Sequence, residues 1–325
     1  RKFLKQKRIQ GMIKVAFTDF VFEDVDKIKL EGCEFTIHPP LRTAEEIISA
    51  AEGAEILCMR DQFGKVTAEV FESLPELKLV ITRSAGYDHI DLEEAKRRGI
   101  PVCFVPDYGA HMIAEHAFGL ILAVARNIVR GNNQYKNDHL FSSDGMQGME
   151  LRGKTLGVVG TGRIGLHCVQ IANGFGMKVI ANDVYENKDA EKEFGFEYVP
   201  LNHLLENSNF ISIHLALNES TQHLINGERL AKMKKDVVLV NTARGGVVDT
   251  KALMESMRLG HVAGAGLDVL EDERDVFRDF EDLNVIITPH LGWYTDGAVD
   301  RILKITMDDI SGYMNGKLVN LVEKS

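Results

Sequence analysis

Cysteine, proline and tryptophan are all scarce in this 325-residue chain, which has 4, 7 and 1 of them. The four cysteines, Cys33, Cys58, Cys103 and Cys168, lie far apart, with no CxxC pair and no metal-ligand spacing. That excludes a disulfide scaffold and a zinc module, and leads us to expect buried free thiols and a cytoplasmic protein. The small proline count, with 29 glycines in no fixed period, excludes collagen-like and low-complexity chains. Positive charge is also in deficit: 38 Lys and Arg stand against 48 Asp and Glu, a net charge of −10. Such a chain has no overall footprint for nucleic acid or an anionic membrane surface. Long apolar runs are missing too; the best, Ala117–Ala125, falls well short of the roughly 18 residues of a membrane span. The start is basic at Arg1, Lys2, Lys5, Lys7 and Arg8 but has no apolar signal core, so residues 1–11 read as a solvated tail or upstream extension, with Met12 a plausible start.

From Met12 onward, short β-branched runs alternate with helical patterns. Strands are expected at Ile13–Phe17, Ile56–Met59, Leu79–Thr82 and Val102–Val105, with helices near Ala44–Ala51, Thr67–Ser73 and Asp91–Arg98. A long helix, Ala110–Arg130, and a polar loop, Asn132–Gly148, follow. The alternation then restarts at Thr155–Val159, Lys178–Ala181, Phe210–Leu215, Val237–Asn241, Gly266–Val269 and Val285–Thr288, and closes on a helix at about Asp296–Met314. This is an α/β chain with two parallel sheets joined by long helices.

The stretch LGVVGTGRIGLHCVQIANGFGMKVIAND (156–183) carries the strongest signal. Gly160, Gly162 and Gly165 stand directly after an apolar strand and open a helix. Gly160 permits a tight turn, Gly162 close approach of backbone to a pyrophosphate, and Gly165 close helix–strand packing. Asp183 stands where an acid accepts hydrogen bonds from the adenosine ribose. Val184, Tyr185 and Glu186 follow with no Arg to receive a 2′-phosphate, so NAD is favoured over NADP.

Ligands of open parallel sheets bind beyond the carboxyl ends of the strands. Val237–Asn241 leads to Thr242, Ala243 and Arg244; Gly266–Val269 contains Asp268 and leads to Glu273; Val285–Thr288 leads to His290. An Arg, a carboxylate and a His delivered to one rim suit hydride transfer at a 2-hydroxy or 2-oxo acid. Arg244 can grip a carboxylate with its planar fork and polarise the adjacent carbonyl. His290 can exchange a proton with the carbonyl oxygen, and Glu273 can fix the imidazole tautomer.

Three segments, NTARGGVVDT (241–250), AGAGLDVLEDE (263–273) and IITPHLGWYT (286–295), together with VVGTGRIG (158–165), resemble the D-isomer-specific 2-hydroxyacid dehydrogenase family. TRSAGYDHIDLEEAKRRGIPV (82–102) and VPDYGAHMIAEHAFGLIL (105–122) extend the resemblance to nearly the whole chain from Met12, closest to the D-lactate dehydrogenase branch. The resemblance implies a Rossmann-type NAD domain (111–291) inserted into a flavodoxin-like substrate domain (12–110 and 292–325). It implies that Arg244, Glu273 and His290 are catalytic. Amides of Ala85 and Gly86 would hold the substrate carboxylate, with Tyr108 and Trp293 at the substrate. Arg163 and Ile164 would face the pyrophosphate, Leu215, Ala216 and Thr221 the adenosine side, and Thr242, Ala243 and Asp268 the nicotinamide half. The chain departs from the family at Arg274 and Ala216, where Pro is frequent, at Asp107, and at Trp293, where the lactate branch usually has Phe.

The implied activity is NAD-dependent reduction of a small 2-oxo acid, pyruvate to D-lactate foremost, by a homodimer. Glyoxylate or hydroxypyruvate reduction and phosphoglycerate oxidation are alternatives, the last disfavoured because the chain ends at Ser325 without room for an appended regulatory domain. An NAD(H)-sensing corepressor on the same fold is the alternative of a different class. No metal site is expected: His111 and His116 in HMIAEH are five residues apart, about 140° around a helix, and match neither zinc spacing. His214 reads as a buried, hydrogen-bonded residue, and Gly264 and Gly266 as close-packing glycines.

Overall fold

The computed structural model describes residues 11–20, 25–271, 280 and 282–322. The basic tail expected over 1–11 falls outside the described residues except for Gly11, and Glu273 and Arg274 fall outside them altogether. The chain divides into two compact units, one discontinuous (1–108 and 294–325) and one central (109–293).

The discontinuous unit is built on β1 (Ile13–Phe17), β2 (Cys33–Ile37), β3 (Ile56–Met59), β4 (Leu79–Thr82) and β5 (Val102–Phe104). They pair in parallel in the order β2-β1-β3-β4-β5. Strands β3 and β4 are buried at every position, as expected of parallel strands covered on both faces. β2 was not expected from the sequence. It is an edge strand whose residues alternate between half-buried and exposed, so it lacks the apolar run that marks its neighbours. Helix Asp296–Met314 buries Ile302, Leu303, Thr306, Asp309 and Ile310, with Leu303 and Ile310 joining Phe17, Ile56, Cys58 and Ile81 in one core.

The central unit carries β6 (Thr155–Val159), β7 (Lys178–Asn182), β8 (Glu197–Tyr198), β9 (Phe210–Ile213), β10 (Val237–Asn241), β11 (Val262–Leu267) and β12 (Val285–Ile287). Their order, β12-β11-β10-β9-β6-β7-β8, is the Rossmann arrangement with one added strand, all pairs parallel. The order reverses between β6 and β9, which opens a crevice at their carboxyl ends.

Two expectations need correction here. The helix expected over Ala110–Arg130 is two helices, Ala110–Ala125 and Ile128–Asp138, bent by 60°. The break falls at Asn127, which is left-handed at φ 52°, a conformation that short polar side chains tolerate. Its Nδ2 donates to the carbonyls of Met146 and Gln147. The expected loop Asn132–Gly148 therefore begins as helix. Strand β11 also starts earlier than Gly266 and stops at Leu267, so Asp268 follows the strand. Its small residues obscured it: a Cβ on Gly266 would meet that of Leu120 at 2.7 Å, and one on Gly264 would meet Val124 at 2.5 Å. The first of the two helices lies directly on this strand.

Thr43, Asp91, Asn187, Asn226, Asp249 and Thr295 each cap a helix by accepting the amide three residues on. No single helix among the described residues is long and apolar enough to cross a membrane. All four cysteines are free thiols; Cys33 is only half-buried, and the other three are buried. Burial raises the thiols of Cys103 and Cys168 to about 12, which leaves them unreactive.

Candidate active site

At the carboxyl end of β6 the glycine loop has the shape a dinucleotide needs. Gly160 is at φ 96°, and a Cβ there would meet the His214 carbonyl at 2.6 Å. A Cβ on Gly165 would lie 2.0 Å from the Gly160 carbonyl, so only glycine lets helix Arg163–Gly174 start this close to the strand. Gly162 has nothing within 4 Å of the same position, so its face is open. That helix opens at Gly162 without a side-chain cap, and the start of a helix is where backbone N–H groups and the helix dipole favour an anion. These residues fit a bound pyrophosphate.

Asp183 follows β7. Its Oδ2 accepts the Thr161 amide at 2.6 Å and the Thr161 hydroxyl at 3.1 Å, and its Oδ1 accepts the Tyr185 amide at 2.9 Å. Across the crevice, Leu215 would be 2.9 Å from a Cβ on Gly160. The turn after it is closed by the Thr221 hydroxyl, which donates to the Ala216 carbonyl at 2.7 Å. His214 sits against the glycine loop with its Nε2 bonded to Ser212 Oγ at 2.9 Å, and desolvation holds its pKa down at about 4.

The turn after β10 presents Arg244. Asn241 braces it from both sides, accepting the Ala243 amide at 3.0 Å and donating to the Arg244 carbonyl at 2.9 Å. Gly245 packs so tightly that a Cβ would fall 2.1 Å from the Leu270 backbone. Thr242 is buried, while Ala243 and Arg244 are half-buried.

The turn after β12 presents His290, and Asp268 organises it. His290 is left-handed at φ 53°, held there by its amide donating to the carbonyls of Asp268 and Thr288 at 2.9 Å each. The buried Asp268 carboxylate accepts the Thr288 hydroxyl at 2.5 Å and the Leu291 and Gly292 amides at 2.8 and 2.9 Å. His116 Nε2 lies 3.2 Å from it and 3.1 Å from Thr288 Oγ1. Burial alone would raise Asp268; its donors, His116 first, outweigh that and hold it below the ordinary carboxylate value. The sequence did not reveal this hub, because His116 and Asp268 are 152 positions apart and no local spacing links them. Trp293, which follows the turn, is buried. Glu273, expected beside His290, lies outside the described residues. Among the described residues, no three His, Cys, Asp or Glu side chains group as metal ligands would.

In the discontinuous unit, the loop after β4 is drawn in by hydroxyls. Ser84 Oγ lies 2.6 Å from Thr82 Oγ1 and donates to the Gly86 carbonyl at 2.8 Å, while Ala85 is exposed. Tyr108 is buried, and its carbonyl accepts Arg301 Nε at 2.5 Å.

The profile described as "D-isomer specific 2-hydroxyacid dehydrogenase, NAD binding domain" matches residues 118–292. The chain belongs to that family. It is 40% identical over 261 residues to a glyoxylate reductase of Pyrococcus furiosus, covering 78% of each chain. It is 38% identical over 313 residues to a D-3-phosphoglycerate dehydrogenase of Methanocaldococcus jannaschii, covering 96% of this chain and 59% of that one. Among solved structures, the D-lactate dehydrogenase of Aquifex aeolicus complexed with NAD and lactic acid matches at a TM-score of 0.87 and 36% identity, over 96% of this chain and all of the other. The enzyme is an NAD-dependent oxidoreductase of 2-hydroxy acids with a two-domain parallel α/β fold.

Proposed function

We propose that this dehydrogenase reduces pyruvate to D-lactate, reversibly, with NADH. The observation that carries the reading is the delivery of Arg244 and His290 from β10 and β12 to the carboxyl edge of the sheet that also holds the glycine loop, each on a turn fixed by its own buried polar residue. NAD, when bound, supplies or accepts the hydride. Arg244 binds the substrate carboxylate with its fork and draws charge toward the carbonyl oxygen. His290, protonated, gives its proton to that oxygen in reduction and, neutral, takes it back in oxidation. Glu273 is proposed to accept from the other imidazole nitrogen, so Glu273→Gln is expected to move the reduction profile to lower pH. The amides of Ala85 and Gly86 are proposed to bind substrate carboxylate. In the cofactor crevice, Asp183 accepts from the adenosine ribose and disfavours a 2′-phosphate.

The likeness to the lactate-bound Aquifex aeolicus structure along nearly the whole chain supports pyruvate. Glyoxylate is the second reading, supported by the Pyrococcus furiosus relative's name. Steady-state kinetics with NADH over pyruvate, glyoxylate, hydroxypyruvate and branched 2-oxo acids tests the choice. The highest kcat/KM is expected for pyruvate with D-lactate as product; turnover of glyoxylate alone would replace it.

A homodimer in the cytoplasm completes the proposal. Ile128, Tyr135, Leu140 and Phe141 line a groove of about 660 Å³ in the central unit, with Phe141 94% exposed. Apolar side chains gathered this way suit a second copy of the chain. Sedimentation should give twice the mass of one chain, and Phe141→Asp should shift it toward one.

A further inference from the structure

A chain of hydroxyls stands behind Asp183. The Asn187 amide donates to the Tyr198 hydroxyl at 3.1 Å, Tyr198 Oη lies 2.7 Å from Thr161 Oγ1, and Thr161 Oγ1 lies 3.1 Å from Asp183 Oδ2. The direction of each proton follows from chemistry. A carboxylate only accepts, so the Thr161 hydroxyl spends its proton on Asp183. Thr161 then has only lone pairs to offer Tyr198, whose hydroxyl therefore donates to Thr161 while it accepts from Asn187. Every link points toward the carboxylate.

The chain is anchored at its far end and shielded from water in its middle. Thr161 and Tyr198 are both buried. The Tyr198 ring packs edge-on against Phe196 at 5.0 Å, and Lys188 Nζ stands 5.1 Å from its centre. Lys188 is itself held by Glu186 and Glu191 at 2.8 and 2.9 Å, and Glu191 also accepts the Tyr198 amide at 2.9 Å.

We infer that Thr161 and Tyr198 are positioning residues for cofactor choice, locking the Asp183 carboxylate in place so that it can read a ribose hydroxyl and cannot turn away from a 2′-phosphate. This rests on the proposed role of Asp183. A carboxylate offers about four acceptor positions. Two on Oδ2 are used by Thr161 and one on Oδ1 by Tyr185, which leaves Oδ1 as the open acceptor. An unlocked carboxylate would lose that aim and could yield to the phosphate. Tyr198 touches no reacting atom, and its effect passes through Thr161.

The test is equilibrium binding of NADH and of NADPH, followed by nucleotide fluorescence, to the full chain and to Asp183→Ala, Tyr198→Phe, Thr161→Val and Thr161→Ser. Tyr198→Phe keeps the ring and removes only the hydroxyl. It should weaken NADH about threefold to tenfold, leave NADPH unchanged or tighter, and leave the KM for the 2-oxo acid unmoved. Thr161→Val should do the same more strongly, Thr161→Ser should restore the parent's preference, and adding Tyr198→Phe to Thr161→Val should change nothing further. If Asp183→Ala narrows the NADH preference and Tyr198→Phe does not, the lock is wrong and the ribose reading stands. If Asp183→Ala leaves the preference unchanged, both fall.

Discussion

Where β1 and β3 end in the discontinuous unit, at the point where its strand order reverses, the protein fills the crevice with its own charges. Asp19 accepts Arg83 Nη1 at 2.7 Å and lies 3.3 Å from Arg60 Nε, all three side chains being at most 2% exposed, and the Arg83 guanidinium stands 4.9 Å from the centre of the Phe17 ring. At the corresponding reversal of the central unit, between β6 and β9, the crevice is bordered by the glycine loop instead. The backbone is stripped to glycine, a helix starts uncapped, and the face of Gly162 is open. One topological rule thus yields two outcomes. A crevice closed by a salt-bridged network serves stability, whereas one built from a glycine loop and a helix start suits an anion.

The largest effect should come from the closed crevice. Asp19→Ala removes the carboxylate between two buried guanidiniums and should lower unfolding stability by about 3–5 kcal/mol, measured by urea titration. A loss below about 1 kcal/mol would mean that the network is not structural.

One group in each unit should also answer acid, and the two do so with opposite signs. His214 in the central unit has its pKa lowered to about 4, below an unfolded value near 6.5. Its neutral form is favoured by the fold, so stability present above pH 6.5 is lost as pH falls from there through about 4, by about 3 kcal/mol. Asp309 in the discontinuous unit is raised by burial to about 6, its Oδ1 accepting Asn320 Nδ2 at 2.9 Å. Its contribution is fully present below the unfolded value of about 3.9 and is lost as pH rises through about 6. Unfolding curves at pH 4.5 and 7.5 should therefore show His214→Gln gaining relative to the parent at the lower pH, and Asp309→Asn gaining at the higher. The reverse pattern would overturn both assignments.

Smaller effects separate the glycines. Gly165→Ala forces a Cβ onto the Gly160 carbonyl and should destabilise the central unit by about 1–3 kcal/mol. Gly162→Ala, with open space and an ordinary φ of −63°, should leave stability alone yet weaken NADH about tenfold by blocking the pyrophosphate. Equal melting losses in both variants would erase the distinction drawn between a packing glycine and a ligand-facing one.

Much of this was legible in the sequence where the signal is local. The GTGRIG loop announced itself through strand, glycines and helix in one unbroken stretch, and the buried strands β3, β4, β9 and β10 through continuous apolar runs. Edge strands β2 and β8 did not, because half-exposed or two-residue strands carry no such run. The bend at Asn127 was hidden inside a helical pattern, since one left-handed residue leaves the flanking periodicity intact. The Asp268 hub and the Tyr198–Thr161 chain were invisible for another reason. They join residues from separate strands and helices, and only the sheet order brings those together.

The role proposed for His290 is to exchange a proton with the substrate carbonyl. Its most direct test is the pH profile of pyruvate reduction and of D-lactate oxidation for the parent and His290→Ala, under conditions where deuterated NADH shows hydride transfer to limit the rate. The parent's reduction should fall as pH rises, because only an imidazolium can donate, while its oxidation rises. His290→Ala should lose both pH dependences and about 10²–10⁴ in kcat. A His290→Ala enzyme that kept the parent's two opposed profiles would contradict the claim.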